Sequence, residues 1–229
     1  MSFFDRVMRA RIVSGLAVMA TSAAILVPSF AAAAHADGVA SSPKAVELRQ
    51  TMRKLWEDHV TWTRLVIVST AANLPDLDAT TQRLLQNQTD IGNAIRPFYG
   101  PQAGESLTGL LKGHIVIATQ IIEAAMKGEQ PSQEDAARRW GVNADSIAAL
   151  LSGANAENWP LAEMKQMLHS HLELTTEEVV AQLQKDWTGS IAAYDKVREQ
   201  ALKMADQLST GIIRQFPEKF VKENVVGVK

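Results

Sequence analysis

The 229-residue chain has no cysteine. That excludes thiolate nucleophiles, Cys-ligated zinc and disulfide or thiol redox chemistry. It also lacks a Gly-x-Ser-x-Gly elbow, a P-loop and a Gly-x-Gly-x-x-Gly turn, so the common platforms for acyl transfer and nucleotide binding are missing. No His-Glu-x-x-His or Glu-x-x-His pair occurs, which argues against a zinc-protease helix and a ferritin-like di-iron site. Neither sign of charge dominates, with 23 basic and 25 acidic side chains. A basic nucleic-acid footprint is therefore absent. No stretch alternates apolar and polar residues as a half-buried strand does.

One long apolar run is present, and it lies at the start. Arg6, Arg9 and Arg11 precede the apolar segment 12–27, and Ala34-His35-Ala36 follows as a small-x-small cleavage site. This is the anatomy of a secretory signal peptide over residues 1–36. The apolar run is short of the about 20 residues that a full span needs. The expectation is a periplasmic or secreted protein, with no integral membrane span after cleavage. Without the leader, 20 basic side chains stand against 24 acidic ones, a formal charge of −4. The remaining 193 residues suit one domain with a sizeable core.

The chain beyond the leader reads as all-α. Residues 37–44 form a polar linker, 45–215 a helical bundle domain, and 216–229 a tail. Apolar residues recur at three and four spacing from about Ala45 to Asn73, where Leu74-Pro75-Asp76 stops the first helix. A second helix runs from Leu77 to Arg96, ended by Pro97 and Gly100-Pro101, and a third from Ala103 to Lys127. Residues 129–175 read as an excursion of short helices. Thr175 with Glu178 forms a capping box that opens a last helix reaching Gln215. Its expected inward stripe includes Trp187, Ile191 and Tyr194. The fold expected is an antiparallel up-down four-helix bundle with a short-helix excursion before the last long helix. No internal repeat of fixed period is evident.

Two helices each place one histidine in an apolar seam, His59 and His114. Counting from the turns puts them near one level with Gln88, with Asp90 close by. Tyr194 and Asp195 of the last helix reach about the same height. Bundle cores hold metals with histidines and carboxylates from facing helices, and imidazole suits zinc or copper. His59 and His114 are thus candidate metal ligands. Gln88, Asp90, Tyr194 and Asp195 are candidate partners for a metal or a small polar ligand. The competing reading is that these are core histidines which fix the bundle register. Met164, Met167 and His171 share a helix face that would suit Cu(I), although Met and Leu at such spacing are usually core. Five tryptophans are available to line a pocket or to pack.

The words WEDHVTWTR (56–64), LQNQTDIGNAI (85–95) and SGANAENWP (152–160) resemble an uncharacterised family of exported bacterial helical proteins. The resemblance implies a helical fold and an exported location, and it carries over no activity and no catalytic residue. Together the readings point to a non-enzymatic cell-envelope protein with a mid-bundle histidine layer. The alternatives are a structural or interaction module, or an enzyme that uses that layer as acid and base.

Overall fold

The computed structural model describes residues 39–221, all-helical with no strand among them. The expected leader over 1–36 lies outside the described residues, as does the tail beyond residue 221. Helix α1 spans Pro43–Ala72, α2 Leu77–Lys127, α3 Gln130–Ala154, α4 Leu161–Leu183 and α5 Trp187–Gln215. A short 3-10 turn, Pro217–Lys219, follows. Helix α2 is two limbs joined at a kink. Gly100 has φ 83° and ψ 170°, and Pro97 and Pro101 flank it. Each proline removes a backbone donor and crowds the preceding turn, so the limbs 77–99 and 101–127 fold back on each other. Gly92 and Gly104 make this possible. A Cβ on Gly92 would collide with Thr108 and the Gly104 carbonyl.

The four-helix expectation needs correction. Residues 129–175 hold no short-helix excursion: the 25-residue α3 and most of α4 fill that stretch. The proposed capping box at Thr175 lies inside α4, where the Thr175 hydroxyl donates to the His171 carbonyl. The true break comes later, at 184–186, and Asp186 caps α5 by accepting from Gly189 N at 2.9 Å. That break resets the helical phase. Trp187 and Ile191, expected inward, are therefore exposed, while Ala201, Met204, Leu208 and Ile212 remain buried. The described part of the tail is anchored, since Phe220 is buried and stacks on Phe98 at 5.7 Å.

Successive helical segments pack antiparallel, and α5 closes the set against α1. Arg53 meets Asp206, Glu57 meets Arg198, Thr61 meets Tyr194 and Arg64 meets Ser190, with numbers falling on one helix as they rise on the other. The segments also repeat. His59, His114 and His171 are 55 and then 57 residues apart, and the same two steps relate other buried residues. Met52, Leu107 and Met164 are equivalent in this sense, as are Trp56, Leu111 and Leu168, and Ile67, Ile122 and Val179. The steps also relate the turns. Asn73, Gly128 and Lys185 have φ of 50°, 69° and 61°. Each ends its helix in the same way, with its own N–H and the next residue's N–H bonded back to the last-turn carbonyls. The described chain is thus three helical hairpins in a closed ring, correcting the expectation of no internal repeat. Side-chain identity is kept at few of these positions, so the period is faint in the letters.

The left-handed residue that ends each first helix suits glycine, which has no Cβ to clash. Lys185→Gly is expected to raise the stability by about 1 kcal/mol and Gly128→Ala to lower it by about as much. Denaturant midpoints check both, and an unchanged midpoint for Gly128→Ala would show that the turn is free to relax.

Candidate functional site

Each hairpin carries its histidine on the first helix and an amide on the second, 29 residues later in all three cases. Antiparallel pairing across a short turn puts such residues side by side. The amide oxygens of Asn143 and Gln200 accept from His114 Nδ1 and His171 Nδ1, each at 2.9 Å. The other end of each amide is also fixed: Asn143 Nδ2 donates to the Leu110 carbonyl and Gln200 Nε2 to the Met167 carbonyl, both at 3.0 Å. Those carbonyls lie four residues before the histidine. The first hairpin divides the same task between two residues. Asn87 Nδ2 donates to the Leu55 carbonyl at 3.0 Å, and Gln88 Nε2 donates to His59 Nδ1 at 3.2 Å.

These bonds assign the tautomers. In His114 and His171 the proton is on Nδ1, which leaves a lone pair at Nε2. In His59 the polarity is reversed: Gln88 Nε2 also faces the Leu84 carbonyl and the Asn87 Oδ1, so it is the donor and His59 Nδ1 the acceptor. His59 therefore carries its proton on Nε2. All three rings are buried. The His59 and His171 centroids are 5.7 Å apart. Trp56 meets His59 edge-on at 5.6 Å, and Trp140 packs on His114 at 5.1 Å.

Burial sets the charge state. It holds His59 well below the usual imidazole range, and charge on His171 or His114 would lower it further. Burial, helped by His171, pushes His114 down to about 3, and it lowers His171 as well. Near neutral pH the layer is three uncharged rings. It offers one N–H and two lone pairs and no acid–base couple poised near pH 7.

The structure brings His59, His114 and Gln88 into this layer and adds His171, which the sequence reading placed in a thioether face. It does not bring in the others. Asp90 accepts from Gln86 at 3.0 Å on the same helix. Tyr194 lies on the flank, bonded to Thr61 and beneath the Arg64 guanidinium, and Asp195 is exposed. The late start of α5 is the cause, because it turns Ala193, Val197 and Ala201 inward instead. Met164 is core, and exposed His169 is held by Asp145. Among the described residues no three His, Asp or Glu side chains are grouped so as to hold a metal ion. No described helix is long and apolar enough to cross a membrane.

The chain matches no known family model, no curated protein and no solved structure. No relative therefore supplies a function or a site residue. Sequence reasoning missed His171, Asn143 and Gln200, and the signal that finds them is the spacing of 29 between histidine and amide, repeated three times.

A second buried polar group breaks the threefold pattern. Glu178 stands where the other hairpins have Val66 and Ile121. Arg64 donates to it at 2.7 Å, and Ser190 bridges Arg64 to Gln182. Burial outweighs the guanidinium and raises the Glu178 carboxyl to about 7.

Removing one amide should strand a buried ring N–H. Asn143→Leu and Gln200→Leu are each expected to cost about 1–3 kcal/mol, and His114→Leu with Asn143→Leu together to cost less than their sum. Urea midpoints of the four chains check this; strict additivity would mean that ring and amide are not coupled. The histidines also set a pH dependence. Above pH 6.5 both folded and unfolded rings are neutral. As pH falls below 6.5 the unfolded chain takes up protons that the folded layer refuses, so stability declines toward pH 3, by up to about 1.4 kcal/mol per pH unit for each ring. Glu178 works the other way. It holds its proton in the folded chain, which stabilises below pH 4.5 and is lost as pH rises through about 7. Three rings outnumber one carboxyl. The urea midpoint should therefore fall between pH 6.5 and 4.5, and a flat profile would contradict the neutral layer.

Proposed function

We propose that this chain is an exported, non-enzymatic binding protein of the cell envelope whose ligand site is the three-histidine layer. The observation that carries this reading is the fixing of all three rings by their own amides at Nδ1. That leaves three Nε2 atoms of mixed polarity, one donor and two acceptors, for a guest. A small neutral polar group suits this set. Zinc or copper on His59 and His114 is the less favoured guest, because a metal needs lone pairs from each ring and His59 presents an N–H. The exported location rests on the leader over 1–36.

One observation favours a structural reading instead: Asn143 and Gln200 each use both ends of the amide, which is how a buried polar group fixes register. Histidine nitrogen NMR separates the two. The expected spectrum has the proton on Nε2 of His59 and on Nδ1 of His114 and His171. Titration with ethanol, formamide and zinc should shift the three Nε2 resonances with a neutral polar probe and leave Nδ1 in place. Nε2 signals unmoved by every probe would leave the structural reading alone. Its own expectation is that replacing the three histidines by leucine preserves or raises stability.

A further inference from the structure

We infer that the cleft at the third hairpin turn binds an aryl carboxylate, a flat apolar body carrying one anionic group. The cleft stands apart from the histidine layer, and the inference does not depend on that layer binding anything. It lies at the end of the bundle where the first helices of the three hairpins stop. It measures about 360 Å³, which is within the range of small-molecule pockets. The half-buried Ala71, Ala125 and Leu183 give it an apolar floor. Met126 and Trp187 stand at the rim, 48% and 55% exposed. Small side chains beside an accessible indole leave room for a ring that packs against it.

Two polar groups on the cleft wall are unspent. Gln182 is buried, and its Oε1 accepts from the Ser190 hydroxyl at 2.8 Å, which orients the amide. Its Nε2 donates to no acceptor among the described residues. A buried donor without a partner points to an acceptor atom that a guest brings. Lys185 is the charged residue on the wall, and among the described residues no carboxylate pairs with it. The nearby acids are engaged elsewhere. Asp186 accepts from Gly189 N at 2.9 Å, Asp76 from the Ser69 hydroxyl at 2.8 Å, and Glu178 from Arg64. An amide donor and a free cation on one wall suit a carboxylate.

The other two hairpins lack this pair. Thr70 and Ala125 stand where the third has Gln182, and Asn73 and Gly128 where it has Lys185. The Lys185 backbone is left-handed, at φ 61°, a conformation that asparagine and glycine tolerate and lysine does not. Strain kept at a cleft wall is explained by a binding role for the side chain. Three helix C-termini reach this end, and their carbonyl ends disfavour an anion. The N–H groups of the turns already occupy the Thr70, Ala125 and Gln182 carbonyls, and α5 presents its N-terminal end at Trp187 on the same cleft. The full charge of Lys185 then decides the sign of the guest.

Titration of the full chain with 2-naphthoate, 2-naphthamide and octanoate tests this, by calorimetry and by the NMR signals of the Gln182 side-chain amide and the Trp187 indole. Naphthoate should bind about tenfold more tightly than the amide and more tightly than octanoate. It should move both signals and leave the histidine Nε2 resonances in place. Lys185→Gln should weaken binding about tenfold and Lys185→Arg should restore it. Lys185→Gly should weaken binding as much while raising the urea midpoint, a split that a merely structural lysine would not show. Trp187→Ala, at an exposed position, should weaken binding about fivefold. Naphthamide binding as tightly as naphthoate, octanoate binding more tightly than either, full affinity in Lys185→Gln, or no binding at all would each overturn the inference. So would a dimer in sedimentation that Trp187→Ala breaks, because the cleft would then be occupied by a second copy of the chain.

Discussion

The bond between an imidazole and an amide from the facing helix is what the rest of this bundle depends on. A buried Nδ1–H of His114 or His171 without a partner would cost more than most single packing contacts return, and in the first hairpin the ring nitrogen is satisfied the other way, by accepting from Gln88. Each histidine therefore dictates where its neighbour's amide must lie. Sliding either helix of a hairpin by one turn would break two hydrogen bonds at once, because the amide also holds a carbonyl four residues before the histidine. The apolar residues above and below the layer pack well at one register, but they would pack tolerably at others. The polar layer is what discriminates. Burial then keeps the rings neutral, so the layer acts through hydrogen bonding and not through charge.

The three seams between hairpins are built differently. The limbs of α2 meet through Gly92 and Gly104, a close backbone approach flanked by the exposed Arg96–Glu105 ion pair at 3.6 Å. Helices α3 and α4 meet through Asp145, which takes Lys165 and His169 at 3.0 Å each. The closing seam between α1 and α5 holds Arg53 with Asp206 and Glu57 with Arg198, and beside it Arg64 of α1 reaches the buried Glu178 of α4. Surface pairs of this kind contribute little each, and salt weakens them. The closing seam, with two ion pairs between its helices, is thus the most electrostatic of the three, and the charge that replaces an aliphatic core residue, Glu178, stands beside it on α4.

The sequence made the all-helical class legible through spacing alone, and it made α1, the kink near Gly100 and both limbs of α2 legible through proline and glycine. His59, Gln88 and His114 could be placed at one height by counting from turns. What failed has physical causes. Thr175-Thr176-Glu177-Glu178 has the letters of a helix start, but its hydroxyls bond to carbonyls one turn back inside a continuing helix. The real break at Lys185 carries a lysine where glycine is usual, so the turn has no signature. Tyr194 and Asp195 were misplaced because the stripe was carried from Leu183 across the missed break, whereas the inward positions at the start of α5 are Ser190, Ala193 and Val197, leading into the buried Ala201. His171 was hidden beside His169 and two methionines, a local pattern that outweighed a relation spanning 57 residues.

A closed ring of antiparallel helices has no inherent first member. Helix α1 begins, and α5 ends, at the face opposite the hairpin turns, where Val39 and Phe220 are both buried and Lys219 reaches the Pro97 carbonyl. The two ends of the described chain thus lie where a short bridge would join them. A circularly permuted chain, opened at the kink near Gly100 or in the loop before Leu161, would present the same core with a different order of synthesis. The order in which the hairpins leave the ribosome is then a kinetic choice, separate from the architecture they reach.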